Sequence, residues 1–106
     1  MLPPRYADAS PQELDEVINK ASSCFFEFRK KSAKQRADFL TLIASEIENL
    51  QSVLLETAQL ETNLGFQRLE IELIRTVNQI KEFSQLAKRE SWKDFSHEKE
   101  DCDRLP

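Results

Sequence analysis

A single glycine, Gly65, stands in a chain of 106 residues. That scarcity excludes a phosphate-cradling glycine loop, which needs several close glycines so that backbone amides can reach the anion. Proline occurs four times, and three of the four precede residue 12. With so few breakers downstream, the backbone favours long helices over a turn-rich sheet protein. Histidine occurs once, as His97 in a charged stretch. It reads as a solvated side chain, with Glu98, Glu100 and Asp101 beside it offering only an adventitious metal contact. Cys24 and Cys102 are the two cysteines, far apart and in no metal-ligand spacing. Cys24 lies on an apolar helical face and reads as a buried, inert thiol. Cys102 lies in HEKEDCD, where neighbouring carboxylates oppose a thiolate. No secretory signal, lipidation motif or run apolar enough to span a bilayer is visible, so the expected compartment is the cytoplasm and no membrane partner is expected.

What is present belongs to an ordinary soluble chain, at 40% hydrophobic and 32% charged residues. The length suits one domain or a piece of one, able to bury roughly 60–70% of its unfolded surface. The net charge of −4 argues against nucleic acid as a partner, because phosphate binding needs a basic face. The local basic run Arg29-Lys30-Lys31, with Lys34 and Arg36, reads as a solvated helix end and connection, where cations suit the helix dipole.

Periodicity predicts three to four helices. Met1 to Ala9 has no period and reads as an extended lead-in. Ser10-Pro11-Gln12-Glu13 carries a capping-box start signal with proline at the first helical position. From there Leu14, Val17, Ile18, Ala21, Cys24, Phe25 and Phe28 share one face of a helix over Pro11 to Lys30, and Phe26 points elsewhere. Ser32 to Gln35 repeats the capping logic. The second helix carries Phe39, Leu40, Ile43, Ile47 and Leu50 on its stripe, with Leu42 on the flank. Near Gln51-Ser52 the phase changes, and a third helix covers Val53 to Glu61, either separate or kinked on from the second. Its apolar residues point nearly all round, the pattern of an enclosed element. Asn63 and Gly65 break the helix, since both residue types accept the left-handed conformation.

The longest helix runs from Leu64 to Lys88. Leu69, Leu73, Val77, Ile80, Phe83 and Ala87 form its main stripe, while Ile71 and Ile74 project well away from it at ~100° per residue. The helix therefore has two apolar faces and needs covering from two directions. Ser91 to Phe95 alternates polar and aromatic residues, a weak strand signal, and the remainder is charged and aperiodic. The expected architecture is all-α: an antiparallel, bundle-like helical region over residues 10–90, a lead-in over 1–9, and a short-strand or mobile tail over 91–106.

No catalytic constellation emerges. Glu46 with Glu48, and Glu70 with Glu72, are two apart and face different sides of a helix, and Glu56 with Glu61 is no better matched. Solvated faces account for all of them. The Glu-x-x-His spacing of a di-metal bundle is missing. No catalytic, cofactor-binding or metal residue is assigned.

The span from Ala21 to Trp92 nonetheless resembles the N-terminal helical region of the aldehyde dehydrogenase superfamily. The matching features are Phe28-Arg29 at a helix end, then the R-x-x-x-L-x-x-IA-x-x-IE pattern from Arg36 to Glu48 within QRADFLTLIASEIENL, and Leu60-Glu61-Thr62 at a later helix end. The pattern Leu69, Arg75-Thr76, Gln79, Phe83 and Ser91-Trp92 is most similar to the 2-oxoglutarate-semialdehyde (2,5-dioxovalerate) dehydrogenase branch. Asn63 stands where the family usually has glycine after Glu-Thr, a mild departure. The family's dinucleotide-binding sheet, oxyanion-holding asparagine, glutamate base and nucleophilic cysteine have no counterpart here, and neither Cys24 nor Cys102 lies in the nucleophile motif.

The resemblance implies a structural part of an NAD(P)-dependent enzyme that oxidises a small semialdehyde through a cysteine thiohemiacetal. In it, these helices pack around the cofactor domain, and the chain then enters a strand of the oligomerisation arm. NAD or NADP is implied for the parent enzyme and none for this chain, and the expected partner is the remainder of the dehydrogenase. The alternative is a free-standing helical interaction module that docks through Phe26, Ile71 and Ile74, or a homodimer formed through the same apolar faces.

Overall fold

Residues 5–89 are described by a computed structural model. The predicted strand at Ser91 to Phe95, the tail with His97 and Cys102, and the first four residues of the lead-in lie outside the described residues.

Ser10 opens the first helix as its surroundings predict. Its Oγ accepts from the Glu13 amide at 3.1 Å, while Glu13 Oε2 accepts from the Ser10 amide at 3.0 Å. Two amides that the helix cannot satisfy internally are thus paired reciprocally. Pro11 takes the first turn, where no donor is needed, and α1 runs Pro11–Phe28. Ser32 and Gln35 repeat the arrangement at 3.1 and 2.9 Å and open α2, Ala33–Asn49.

Leu50 alone separates α2 from α3, Gln51–Thr62. Its amide still donates to the Glu46 carbonyl, and its own carbonyl accepts from Leu54. Helical bonding thus persists on both sides, and α2 and α3 form one helix broken at a single residue. The chain then reverses. Asn63 adopts φ 55° and Gly65 φ 88°, left-handed values that end a helix at low steric cost for these residue types. Nothing lies within 4 Å of where a Gly65 Cβ would stand, so conformation rather than space calls for glycine there. The Gly65 amide donates to Gln59 Oε1 at 2.7 Å, which ties the turn to α3. The longest helix, α4, follows over Phe66–Arg89. Every regular element among the described residues is helical.

The core is the seam between α2 and α4, which run antiparallel. At one end the Ser84 hydroxyl donates to the Ala37 carbonyl at 2.8 Å and lies 2.8 Å from Thr41 Oγ1. At the other, Leu54, Leu55 and Ala58 of α3 face Leu69 and Leu73. Among the described residues the buried ones are Ala37, Ala44, Leu69, Val77 and Ser84. Ala37 and Ala44 are one heptad apart, as are Val77 and Ser84, so small side chains line up along the contact and let the two backbones approach. Leu40, Ile43, Ile47, Leu73, Ile80 and Ala87 flank the seam half-buried. Glu48 and Lys81 bridge its edge at 2.7 Å; both are about half exposed, which holds the pair to about 1 kcal/mol or less. Ser84→Ala is expected to cost about 1–2 kcal/mol, read as a lower urea midpoint. An unchanged midpoint would show that the polar contact contributes nothing net.

Four expectations are corrected. Phe83 is 59% exposed and Ser84 takes its place in the seam, because the contact is too close for a phenyl ring and the serine hydroxyl finds two partners there. On α2, Phe39 and Leu50 are likewise exposed, and the buried positions belong to Ala37 and Ala44. The third helix is not enclosed: it buries no residue, and Val53 is exposed, since only one side of it meets α4. Cys24 is exposed rather than buried. The reason is the placement of α1, which among the described residues lies along no other helix and has no buried residue. It touches the rest of the molecule at its C-terminal end, where the Phe28 ring meets Phe39 edge-on at 5.9 Å. Ile71 and Ile74 stay open, as the two-faced reading of the long helix requires.

Candidate docking surfaces

Of the apolar surface left open among the described residues, three stretches bear on docking. The first is the back of α4, where Ile71 is 60% and Ile74 51% exposed. Ile71 lies on the side of the helix away from the seam, whereas Ile74 stands beside Val77 at the edge of it. Ile74 forms one wall of a cleft of about 310 Å³ that Glu48, Gln51, Leu73 and Val77 complete.

The second is a groove of about 320 Å³ where the end of α1, the start of α2 and the end of α4 converge, lined by Phe28, Phe39, Leu40, Phe83, Leu86 and Ala87 with Arg36. Arg36 holds this junction. Its Nη2 donates to the Arg29 carbonyl at 2.9 Å, capping the end of α1, and its guanidinium lies 5.6 Å over the Phe28 ring. Its Nε is buried without a partner. The third surface is the apolar face of α1 itself, on which Leu14, Val17, Ile18 and Phe25 are all more than half exposed.

The residues singled out for docking do not form one patch. Ile71 and Ile74 share a face, but Phe26 belongs to the detached α1, against Phe25 at 5.7 Å and under Arg29 at 5.4 Å. The groove of Phe28, Phe39 and Phe83 escaped the sequence reading because each ring was assigned to the interior of its own helix. The available signal was excess: three bulky rings competing for a seam that small residues fill.

The charges are distributed along the same axis. Glu13, Asp15 and Glu16 lie in the first half of α1, and Arg29, Lys30, Lys31, Lys34 and Arg36 gather at its far end. Lys30 pairs with Glu27 at 3.7 Å and Lys34 with Asp38 at 3.3 Å, both on open surface where such pairs contribute little. The carboxylates weighed as acid/base pairs are all exposed; Glu48 is engaged by Lys81 and Glu72 by Arg75 at 3.8 Å. Among the described residues no helix is long and apolar enough to cross a membrane.

Known proteins supply the context for these surfaces. The model of the aldehyde dehydrogenase family matches residues 4–104. The alpha-ketoglutaric semialdehyde dehydrogenase of Acinetobacter baylyi is 38% identical over 84 residues, covering 79% of this chain and 16% of that protein. Alpha-ketoglutaric semialdehyde dehydrogenase 2 of Azospirillum brasilense is 33% identical over 85 residues, covering 80% of this chain and again 16% of the relative. No solved structure matches the chain significantly. The chain thus spans about a sixth of the length of these relatives, and a family match running through nearly all of it places it in the aldehyde dehydrogenase family.

Proposed function

We propose that this chain serves as the N-terminal helical portion of an NAD(P)-dependent semialdehyde dehydrogenase of the cytoplasm, a structural part without chemistry of its own. The observation that carries the reading is the back of α4. Ile71 and Ile74 are exposed on the helix that otherwise forms the core, and one-sided α3 lies beside it. An open apolar face of this kind marks an interface. The relatives contain ample further polypeptide to supply the cover, since the matched region is 16% of their length. In this reading the remainder of the dehydrogenase is the partner. Its nucleotide cofactor accepts the hydride, and the helices described here keep the cofactor domain rigid. The substrate class is a semialdehyde, by analogy with the names of the two relatives.

Two measurements test it. The purified chain, given alpha-ketoglutaric semialdehyde with NAD or NADP, is expected to show no reduction of either nucleotide; measurable turnover overturns the structural assignment. Grafted in place of the matching residues of the Acinetobacter relative, the chain is expected to yield a soluble, active chimera. Ile71→Asp is expected to lower the chimera's soluble yield and activity. A chimera indifferent to Ile71→Asp shows that the back of α4 does not meet the remainder.

A further inference from the structure

We infer that Trp92 of this chain seats in the groove between the end of α1, the start of α2 and the end of α4, with Glu90 and Asp94 at its basic rim. The inference does not rest on the dehydrogenase reading, whose interface is the back of α4, a different face of the molecule. The groove is an aromatic socket. Phe28, Phe39 and Phe83 come from three helices and remain 45–59% exposed, and Leu86 and Ala87 complete the wall. Its volume of about 320 Å³ admits one bulky side chain and no helix, since a helix with its side chains is about 10–12 Å across. Rings that meet edge-on or offset gain beyond the area they bury, and the Phe28–Phe39 pair already stands edge-on at 67°.

Chain path selects the occupant. Ala87 lines the groove and precedes Arg89, the last residue of α4, by two positions. Along the helix axis that separation is about 3 Å. Trp92 follows Arg89 by three residues, a reach of about 10 Å in extended backbone, so the indole meets the socket once the chain turns back. A tether this short gives Trp92 an effective concentration on the order of millimolar or above. Continued helix would instead carry Trp92 about 180° away from Phe83, at ~100° per residue. The inference therefore requires the helical path to end before Trp92.

Charge fixes the register. In extended backbone, residues two apart share a side, so Glu90 and Asp94 flank Trp92 on the face it presents. The groove offers the complement. Arg36 lines it, with Nη2 held by the Arg29 carbonyl and Nε buried without an acceptor. Arg29, Lys30, Lys31 and Lys34 stand in the adjoining connection, and residues 29–36 contain no anion. A carboxylate that enters beside the indole meets this positive rim. The Arg36 guanidinium gains an acceptor and a second aromatic face. Seated there, Trp92 wedges against Phe28, the ring through which α1 touches the body. It thereby fixes both the set of α1 and the direction in which the chain leaves α4.

Trp92 is the chain's single tryptophan, so the emission of the full chain, excited selectively over Tyr6, reports on it alone. The expected spectrum is blue-shifted from that of N-acetyltryptophanamide, with acrylamide quenching several-fold weaker, and neither depends on protein concentration. Phe39→Ala opens the socket and is expected to shift the emission to the red and raise the quenching constant several-fold. The helical circular-dichroism signal should stay as it was, because Phe39 is 51% exposed and lies outside the buried seam. Changing Glu90 and Asp94 together to lysine is expected to move both readouts in the same direction. Ile71→Asp, on the back of α4, is expected to move neither. Emission and quenching equal to those of the free amide overturn the inference. So does a blue shift that persists through Phe39→Ala or through the lysine pair. A shift that fades on dilution assigns the burial to a second copy, and one lost on Ile71→Asp assigns it to the back of α4; either overturns the inference as well.

Discussion

Val77→Asp is expected to abolish cooperative unfolding of the helical core. Val77 is 3% exposed and lies in the α2–α4 seam one heptad from buried Ser84. A carboxylate there loses its hydration, and Glu48 on the cleft wall is of the same sign and already engages Lys81. Burying such a group without a partner costs several kcal/mol, about 4 or more, even when it escapes ionisation by taking up a proton. Few residues share the load. Four hydrophobic residues of the described chain are buried, so its stability belongs at the low end of the roughly 5–15 kcal/mol typical of domains. Thermal melts followed at the helical circular-dichroism band should lose their sigmoid. Ile71→Asp, on the same helix but 60% exposed, should shift stability by no more than about 0.5 kcal/mol in the isolated chain. If the two variants behave alike, the seam is not the core.

Ala44→Leu is the second large effect, and it works by the opposite route. Ala44 is fully buried with 0% exposure, where two helix backbones meet through small side chains. Leucine has no room, so α2 and α4 must separate. Overpacking of this kind costs about 1–3 kcal/mol. Separation also breaks the Ser84 hydrogen bonds to Ala37 and Thr41, each worth about 1 kcal/mol. A total of about 3–5 kcal/mol is expected, visible as a lower urea midpoint and faster amide exchange in both helices. Leu42→Ala, at a position 59% exposed, is expected to leave the midpoint unchanged. An Ala44→Leu chain as stable as the parent would mean that the helices do not touch there.

These two substitutions bear on different failures of reading by hydrophobicity. Periodicity located α4 and all but one member of its stripe, since Leu69, Leu73, Val77, Ile80 and Ala87 do face the seam. The error at Phe83 came from choosing the greasier of two adjacent residues. In a contact set by backbone approach, a serine with two hydrogen-bond partners fits where a phenyl ring does not. The same preference hid Ala37 and Ala44 behind Phe39 and Leu50. As for a site, the exposed back of α4 was legible from its second apolar face. The Phe28–Phe39–Phe83 groove was invisible, because its rings come from three helices whose meeting point no local pattern encodes.

Residue order alone determined where helices begin and end. Ser10 and Ser32 cap them, Asn63 and Gly65 terminate one, and these are contacts between near neighbours in sequence that need no tertiary partner. Sequence also carried the family, through the order of motifs from Phe28-Arg29 to Thr62. Only the tertiary structure decided which apolar faces are used. Amphipathicity states that a face seeks cover, but the cover is chosen by the distance of closest approach between elements far apart in the chain. That distance gave the seam to alanine, valine and serine, and left α1 and the back of α4 open to other polypeptide.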